Sequence, residues 1–119
     1  MSKIVKQGLW VGVLAMTACG SVMADDIDSQ IGPAVEQVNQ KYAEQKLDIK
    51  KLFSAKCSWC HQGYGMKQAD GPKLGGTEKT HEQVIKQITN GKSPMPGFKN
   101  QLKDFEIQAL ADYIKALPK

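Results

Sequence analysis

The sequence contains no arginine: all sixteen basic residues are lysine, set against twelve acids. Readout of phosphates or base edges by a planar, bidentate guanidinium is therefore excluded, and nucleic acid is not an expected partner. Cysteine is scarce, at three residues, too few for a disulfide scaffold. No apolar run approaches the ~20 residues of a permanent bilayer span. Alternating strand patterns, internal repeats and low-complexity tracts are also missing. What is present is 119 residues, 41% hydrophobic and 24% charged, the size and composition of one small globular domain.

The first 24 residues read as a leader. Lys3 and Lys6 precede an apolar run from Gly8 to Ala18, and Val22-Met23-Ala24 ends in a small residue before Asp25-Asp26. Basic, apolar, then small is the layout of a secretory signal peptide, so residues 1–24 are expected to be removed and the chain to be periplasmic. Met16-Thr17-Ala18-Cys19-Gly20 loosely matches a lipoprotein cleavage box and supplies an alternative, a lipid anchor at Cys19. Loss of Lys3 and Lys6 lowers the formal charge from +4 to +2, so much of the basicity belongs to the leader.

In the remainder, Asp25 to Pro33 reads as irregular. Val35, Val38, Tyr42 and Leu47 give a weakly amphipathic helix over residues 34–47, within an extension over 25–47 that precedes a main domain at 48–119. Asp48 can cap a second helix carrying Ile49, Leu52, Phe53 and Cys57. Residues 62–80 are crowded with glycine and lack apolar period, which makes a loop too long to be held by its own core. Thr80 and Gln83 form a capping-box pair ahead of Val84, Ile85 and Ile88, and Asn90-Gly91 ends that helix. The last helix is the clearest, with Ile107, Leu110, Ala111, Ile114 and Leu117 on one stripe. The fold class is all-α, with three or four helices and two long Gly- and Pro-rich loops.

Chemistry concentrates in Cys57-Ser58-Trp59-Cys60-His61. Two thiols one turn apart can add across the two vinyl groups of a haem, and the adjacent imidazole can then reach the iron; Cys-x-x-Cys-His is the signature of c-type attachment. Three other chemistries use the same residues: a redox dithiol, a plain disulfide, and a structural zinc recruiting His61 and His81. The dithiol wants a neighbouring strand–helix unit, and zinc wants a differently spaced second ligand pair. If haem is bound, the sixth ligand is to be sought among Met66, His81 and Met95. Met95 stands between Pro94 and Pro96, off any apolar stripe, in a loop whose prolines lower the entropy lost in presenting a ligand.

In this order the motifs resemble the small class I c-type cytochromes: a helix running into Cys57-Ser58-Trp59-Cys60-His61, then Gly71-Pro72-x-Leu74, then Asn90-Gly91 to Met95-Pro96-x-Phe98, then Leu110-Ala111-Asp112-Tyr113-Ile114. The resemblance implies one haem c joined through Cys57 and Cys60, with His61 and Met95 as axial ligands. It implies that the Pro72 carbonyl accepts the His61 ring N–H, and that Phe53 and Tyr113 meet where two helices cross. It implies an electron carrier and not an enzyme, a monomer with redox proteins as partners: a dehydrogenase as donor, by likeness a quinoprotein alcohol dehydrogenase, and an oxidase or another cytochrome as acceptor. The rival function is a haem sensor or peroxidase-like enzyme with a labile sixth ligand. Two positions depart from the resemblance: Ile49 replaces a glycine at the expected helix crossing, and Lys103 replaces a capping hydroxyl, leaving Asp104 as the expected cap.

Overall fold

Each helix of this chain has one apolar stripe to hide, and the architecture follows from hiding all of them together. The computed structural model describes residues 25–119; the expected leader and the Cys19 alternative lie outside the described residues. Helix α1 spans Asp25–Lys41, α2 Ile49–Lys56, α3 His81–Asn90 and α4 Asp104–Ala116, with short 3₁₀ turns at Ala43–Gln45 and Gly63–Gly65. Among the described residues there is no strand, only an isolated bridge between Lys92 and Met95. The all-α class stands.

Helix α4 is the hub. Ile107, Ala109, Leu110, Ala111, Tyr113, Ile114 and the following Leu117 are buried, and α1, α2 and α3 all pack against this helix. Phe53 of α2 meets Tyr113 edge to face with ring centroids 5.3 Å apart, the geometry aromatic pairs prefer. Ile49 does not spoil this crossing. Its side chain is wholly buried, and its backbone N–H donates to Asn39 Oδ1 of α1 at 2.9 Å.

Helix starts follow local chemistry. The Asp48 carboxylate accepts the Lys51 N–H, and Thr80 and Gln83 cap α3 reciprocally. At α4 the expected cap shifts. Asp104 is already the first helical residue, and Glu106 supplies the contact by accepting the Lys103 backbone N–H at 2.8 Å.

Helix α1 corrects the reading of residues 25–33 as irregular. It runs through Pro33 from Asp25. An internal proline costs about 3 kcal/mol in a helix. Against that cost stand Ile31, Ala34 and Val38, each no more than 2% exposed, where burying one Ile or Val side chain is worth about 1.5–3 kcal/mol. Lys50 further pins the N-terminal turn by pairing with Asp28 at 2.7 Å. The buried stripe is Ile31, Ala34, Val38 and Tyr42 rather than the expected set, and Val35 and Leu47 are only half-buried.

A second tie fixes the other end of α1. Asp112 of α4 accepts hydrogen bonds from Lys41 Nζ at 2.7 Å, Tyr42 Oη at 2.8 Å and His81 Nε2 at 2.6 Å. Partial burial pushes the Asp112 carboxyl up, but its bonds to Lys41, Tyr42 and His81 outweigh this and hold it below the ordinary range. The stabilisation is therefore present above about pH 4, the unfolded value, and is lost as pH falls through the folded one. Asp112→Ala should cost about 1–2 kcal/mol near neutrality, the worth of bonds to a charged acceptor discounted for an exposed lysine. The loss should shrink toward pH 2 in thermal melts across pH; an equal loss at all pH values would contradict the node.

Candidate functional site

The turn after α2 sets the site. Cys57 caps α2 with its N–H on the Phe53 carbonyl, and the His61 N–H donates to the Cys57 carbonyl at 2.9 Å. This tight turn brings both thiols and the imidazole to one side of the molecule. Cys57 and Cys60 are not bonded to each other. Burial, reinforced by the neighbouring Cys60, pushes the Cys57 thiol up to about 12.

His61 is buried, with 7% of its surface exposed. Its Nδ1 lies 2.9 Å from the Pro72 carbonyl oxygen. A carbonyl only accepts, so Nδ1 carries a proton, and in the neutral ring the lone pair is then on Nε2. The loop that delivers Pro72 is held by backbone bonds: Gly71 N–H to the Cys60 carbonyl at 2.8 Å, and Leu74 and Gly75 N–H to the Gly65 carbonyl at 2.8 and 3.1 Å. Gly71 has to be glycine here, because a Cβ would come 2.5 Å from His61 Cε1 and 2.8 Å from Nδ1.

Opposite, the loop after α3 presents Met95. Gly91 leaves the helix with φ +72°, a conformation that suits glycine. Lys92 and Met95 then exchange both backbone hydrogen bonds, at 3.0 and 2.8 Å, and the Phe98 N–H returns to the Ile88 carbonyl. The Met95 segment is thus folded back tightly on the end of α3.

Between these two walls lies a crevice. Three adjoining cavities each have both His61 and Met95 in their linings. Val84, Ile88, Ile114 and Leu74 form the apolar depth; Cys57 and Cys60 lie on one flank, Cys60 and Pro72 on another. All five residues picked from the sequence, Cys57, Cys60, His61, Pro72 and Met95, are brought together. An apolar slot with one imidazole, one thioether and two thiols at its rim fits a haem. The donor set does not favour zinc: His81 is engaged by Asp112, and among the described residues no group of three metal-binding side chains converges. Met66 is not at the crevice. It is half-buried against the core beneath Gly75, where a Cβ would come 2.7 Å from its sulfur.

A model of the cytochrome c oxidase, cbb3-type, subunit III family matches residues 44–114, more than half of the chain. The chain belongs to this family of c-type cytochromes. It is 40% identical over 72 residues to cytochrome c6 of Nostoc sp., covering 54% of this chain and 63% of that protein. It is 38% identical over 71 residues to cytochrome c6 of Leptolyngbya boryana, covering 82% of that protein, and 39% identical over 77 residues to that of Anabaena variabilis, covering 81%. The chain thus spans less than two thirds of the Nostoc relative. The fold is the all-α cytochrome c fold, and the family carries covalently bound haem c. Among the described residues no helix is long and apolar enough to cross a membrane.

Two crevice residues escaped the sequence reading of this cytochrome. Gln87 lines the slot, and its amide N–H approaches the Met95 sulfur at 3.9 Å. Its place on α3, three residues after Val84 and one before Ile88, marks it as a polar residue on the buried stripe. Lys115 of α4 donates to the carbonyls of Thr77 and Lys79, tying down the outer lip of the crevice. Carbonyl partners leave no trace in sequence.

The close fit of Gly71 predicts a contrast. Gly71→Ala should lower stability by about 1–3 kcal/mol through overpacking against His61. Gly32→Ala, where nothing lies within 4 Å of the new methyl, should raise it by up to ~1 kcal/mol through helix propensity. Paired thermal melts check both, and equal effects would contradict the role of Gly71.

Proposed function

We propose that the chain is a one-electron carrier that would hold a single haem through Cys57 and Cys60, with His61 and Met95 as its metal ligands. The observation that carries the reading is the convergence of His61 and Met95 on one apolar crevice flanked by both thiols. Bound haem supplies the Fe(III)/Fe(II) couple. Cys57 and Cys60 would hold the group covalently, as thioethers. His61 offers Nε2, and the Pro72 carbonyl orients the ring and raises its basicity. Met95 offers a thioether, which favours Fe(II) over a second imidazole and raises the reduction potential. Val84, Ile88 and Ile114 keep water away and act in the same direction, since net charge on the oxidised centre is poorly solvated there.

With His61 and Met95 both serving as ligands, no position on the metal would be left for a substrate. The sensor or peroxidase-like alternative needs Met95 to leave readily. The paired Lys92–Met95 backbone bonds and the fold-back of Phe98 onto α3 work against that. The proposed setting is the periplasm after removal of residues 1–24, as a monomer. The proposed donor is a dehydrogenase, by likeness a quinoprotein alcohol dehydrogenase, and the proposed acceptor an oxidase or another cytochrome. Stopped-flow reduction by such a dehydrogenase tests the donor separately from the haem chemistry.

The visible spectrum of protein exported in a host that attaches haem tests the ligand set. Sharp reduced c-type bands are expected, together with the weak long-wavelength band of sulfur on Fe(III). Met95→Ala should abolish that band and lower the reduction potential. A wild-type Fe(III) protein that lacks the band and binds added small ligands at once would favour the sensor or enzyme.

A further inference from the structure

Tyr113 is wholly buried in α4, and packing alone accounts for its ring, which sits edge to face on Phe53. Packing does not account for its hydroxyl. A phenylalanine would fill the same place without bringing a polar atom into the core. The hydroxyl donates to the carbonyl oxygen of Tyr64 at 2.8 Å. Burial first, then the neighbouring Tyr64 and Cys57, pushes this phenol well above its ordinary value, so it remains a donor over the working pH range.

Tyr64 is itself unusual. It sits at φ +53°, ψ +34°, a left-handed conformation disfavoured for any residue with a Cβ. Its two flanking glycines also have positive φ, so Gly63-Tyr64-Gly65 turns sharply. That turn aims the Gly65 carbonyl at the next stretch of loop, where it accepts from both Leu74 and Gly75. Leu74 is two residues from Pro72, whose carbonyl accepts the His61 N–H. A continuous set of bonds therefore runs from α4 to the imidazole: Tyr113 hydroxyl, Tyr64 carbonyl, Gly65 carbonyl, Leu74 and Gly75 N–H, Pro72 carbonyl, His61 Nδ1.

We infer that the Tyr113 hydroxyl is a positioning group for the proximal imidazole: by holding the strained Tyr64 turn, it fixes the loop that presents the Pro72 carbonyl to His61. The inference rests on His61 being the haem ligand proposed above. Without the hydroxyl, the Tyr64 peptide loses the only tertiary hydrogen bond it makes among the described residues, and the turn is free to relax toward ordinary φ. The Gly65 carbonyl then turns away from Leu74 and Gly75, and the Pro72–His61 bond lengthens. A weaker bond leaves the imidazole less electron-rich, which disfavours Fe(III).

Tyr113→Phe in the haem-loaded protein is the test, because it keeps the ring and removes only the donor. Amide exchange at Leu74 and Gly75 should quicken about tenfold. In the NMR spectrum of the Fe(II) protein the His61 Nδ1 proton should move upfield and exchange faster with water, and the reduction potential should rise. Phe53→Leu is the control. It loosens the same aromatic contact without touching the hydroxyl, and should lower the melting temperature while leaving the His61 proton and the potential in place. An unchanged His61 signal and potential in Tyr113→Phe would overturn the inference, as would equal shifts in Phe53→Leu. Failure of the underlying reading is visible separately, since a wild-type protein without haem or without a ligated His61 is recognised before any variant is compared.

Discussion

A single hydrogen bond, from the buried His61 ring to the Pro72 carbonyl, links the two parts of this chain that differ most. On one side is the turn that ends α2, anchored by helical bonds. On the other is a glycine-rich loop over residues 62–80 with few apolar contacts of its own. Burying an imidazole without a partner would be costly, so the bond has to form. Making it forces the loop to lie flat against the ring, which only Gly71 permits. The ring nitrogen left with a lone pair is then the one available to a metal. Stability of the loop and competence of the ligand come from the same contact.

The rest of the fold serves to hold the two walls of the crevice at a fixed separation. Helix α4 forms its floor with Ile114, receives α2 through Phe53 and Tyr113, and fastens the outer lip through Lys115. Asp112 on the same helix gathers Lys41, Tyr42 and His81, so α1, α3 and α4 meet at one carboxylate. The Met95 wall is a loop made rigid by proline and by backbone pairing. A carrier gains from such rigidity, because a site that changes little between oxidation states loses little energy in each transfer. The cost of an internal proline in α1 is accepted for the same end, since that helix covers α4 and caps α2 through Asn39.

What the sequence made legible was local. Asp48, Thr80 with Gln83, the α4 stripe and the Cys-x-x-Cys-His turn each announce themselves within a few residues, because capping and helical period are short-range effects. Met95's place off any apolar stripe was legible because two prolines set it apart. Contacts between distant residues were not. Asp112 looks like an ordinary exposed acid until Tyr42 and His81 arrive from elsewhere in the chain. The Tyr113 hydroxyl and the left-handed Tyr64 each look unremarkable alone, and neither explains itself without the other. Helix α1 was misread at Pro33 because a local rule about proline was outweighed by burial of Ile31, which only the tertiary fold supplies. Asp104 was misread as a cap because the helix starts at that residue and Glu106, in the same turn, reaches back to Lys103.

The account stands or falls on covalent attachment of one haem at Cys57 and Cys60. Intact mass spectrometry under denaturing conditions measures this directly on protein exported beside a control cytochrome. The polypeptide should carry the mass of one haem, survive acid extraction with it, and lose that covalent retention when both cysteines are replaced by alanine. A bare polypeptide mass, with the control fully loaded, would contradict the account.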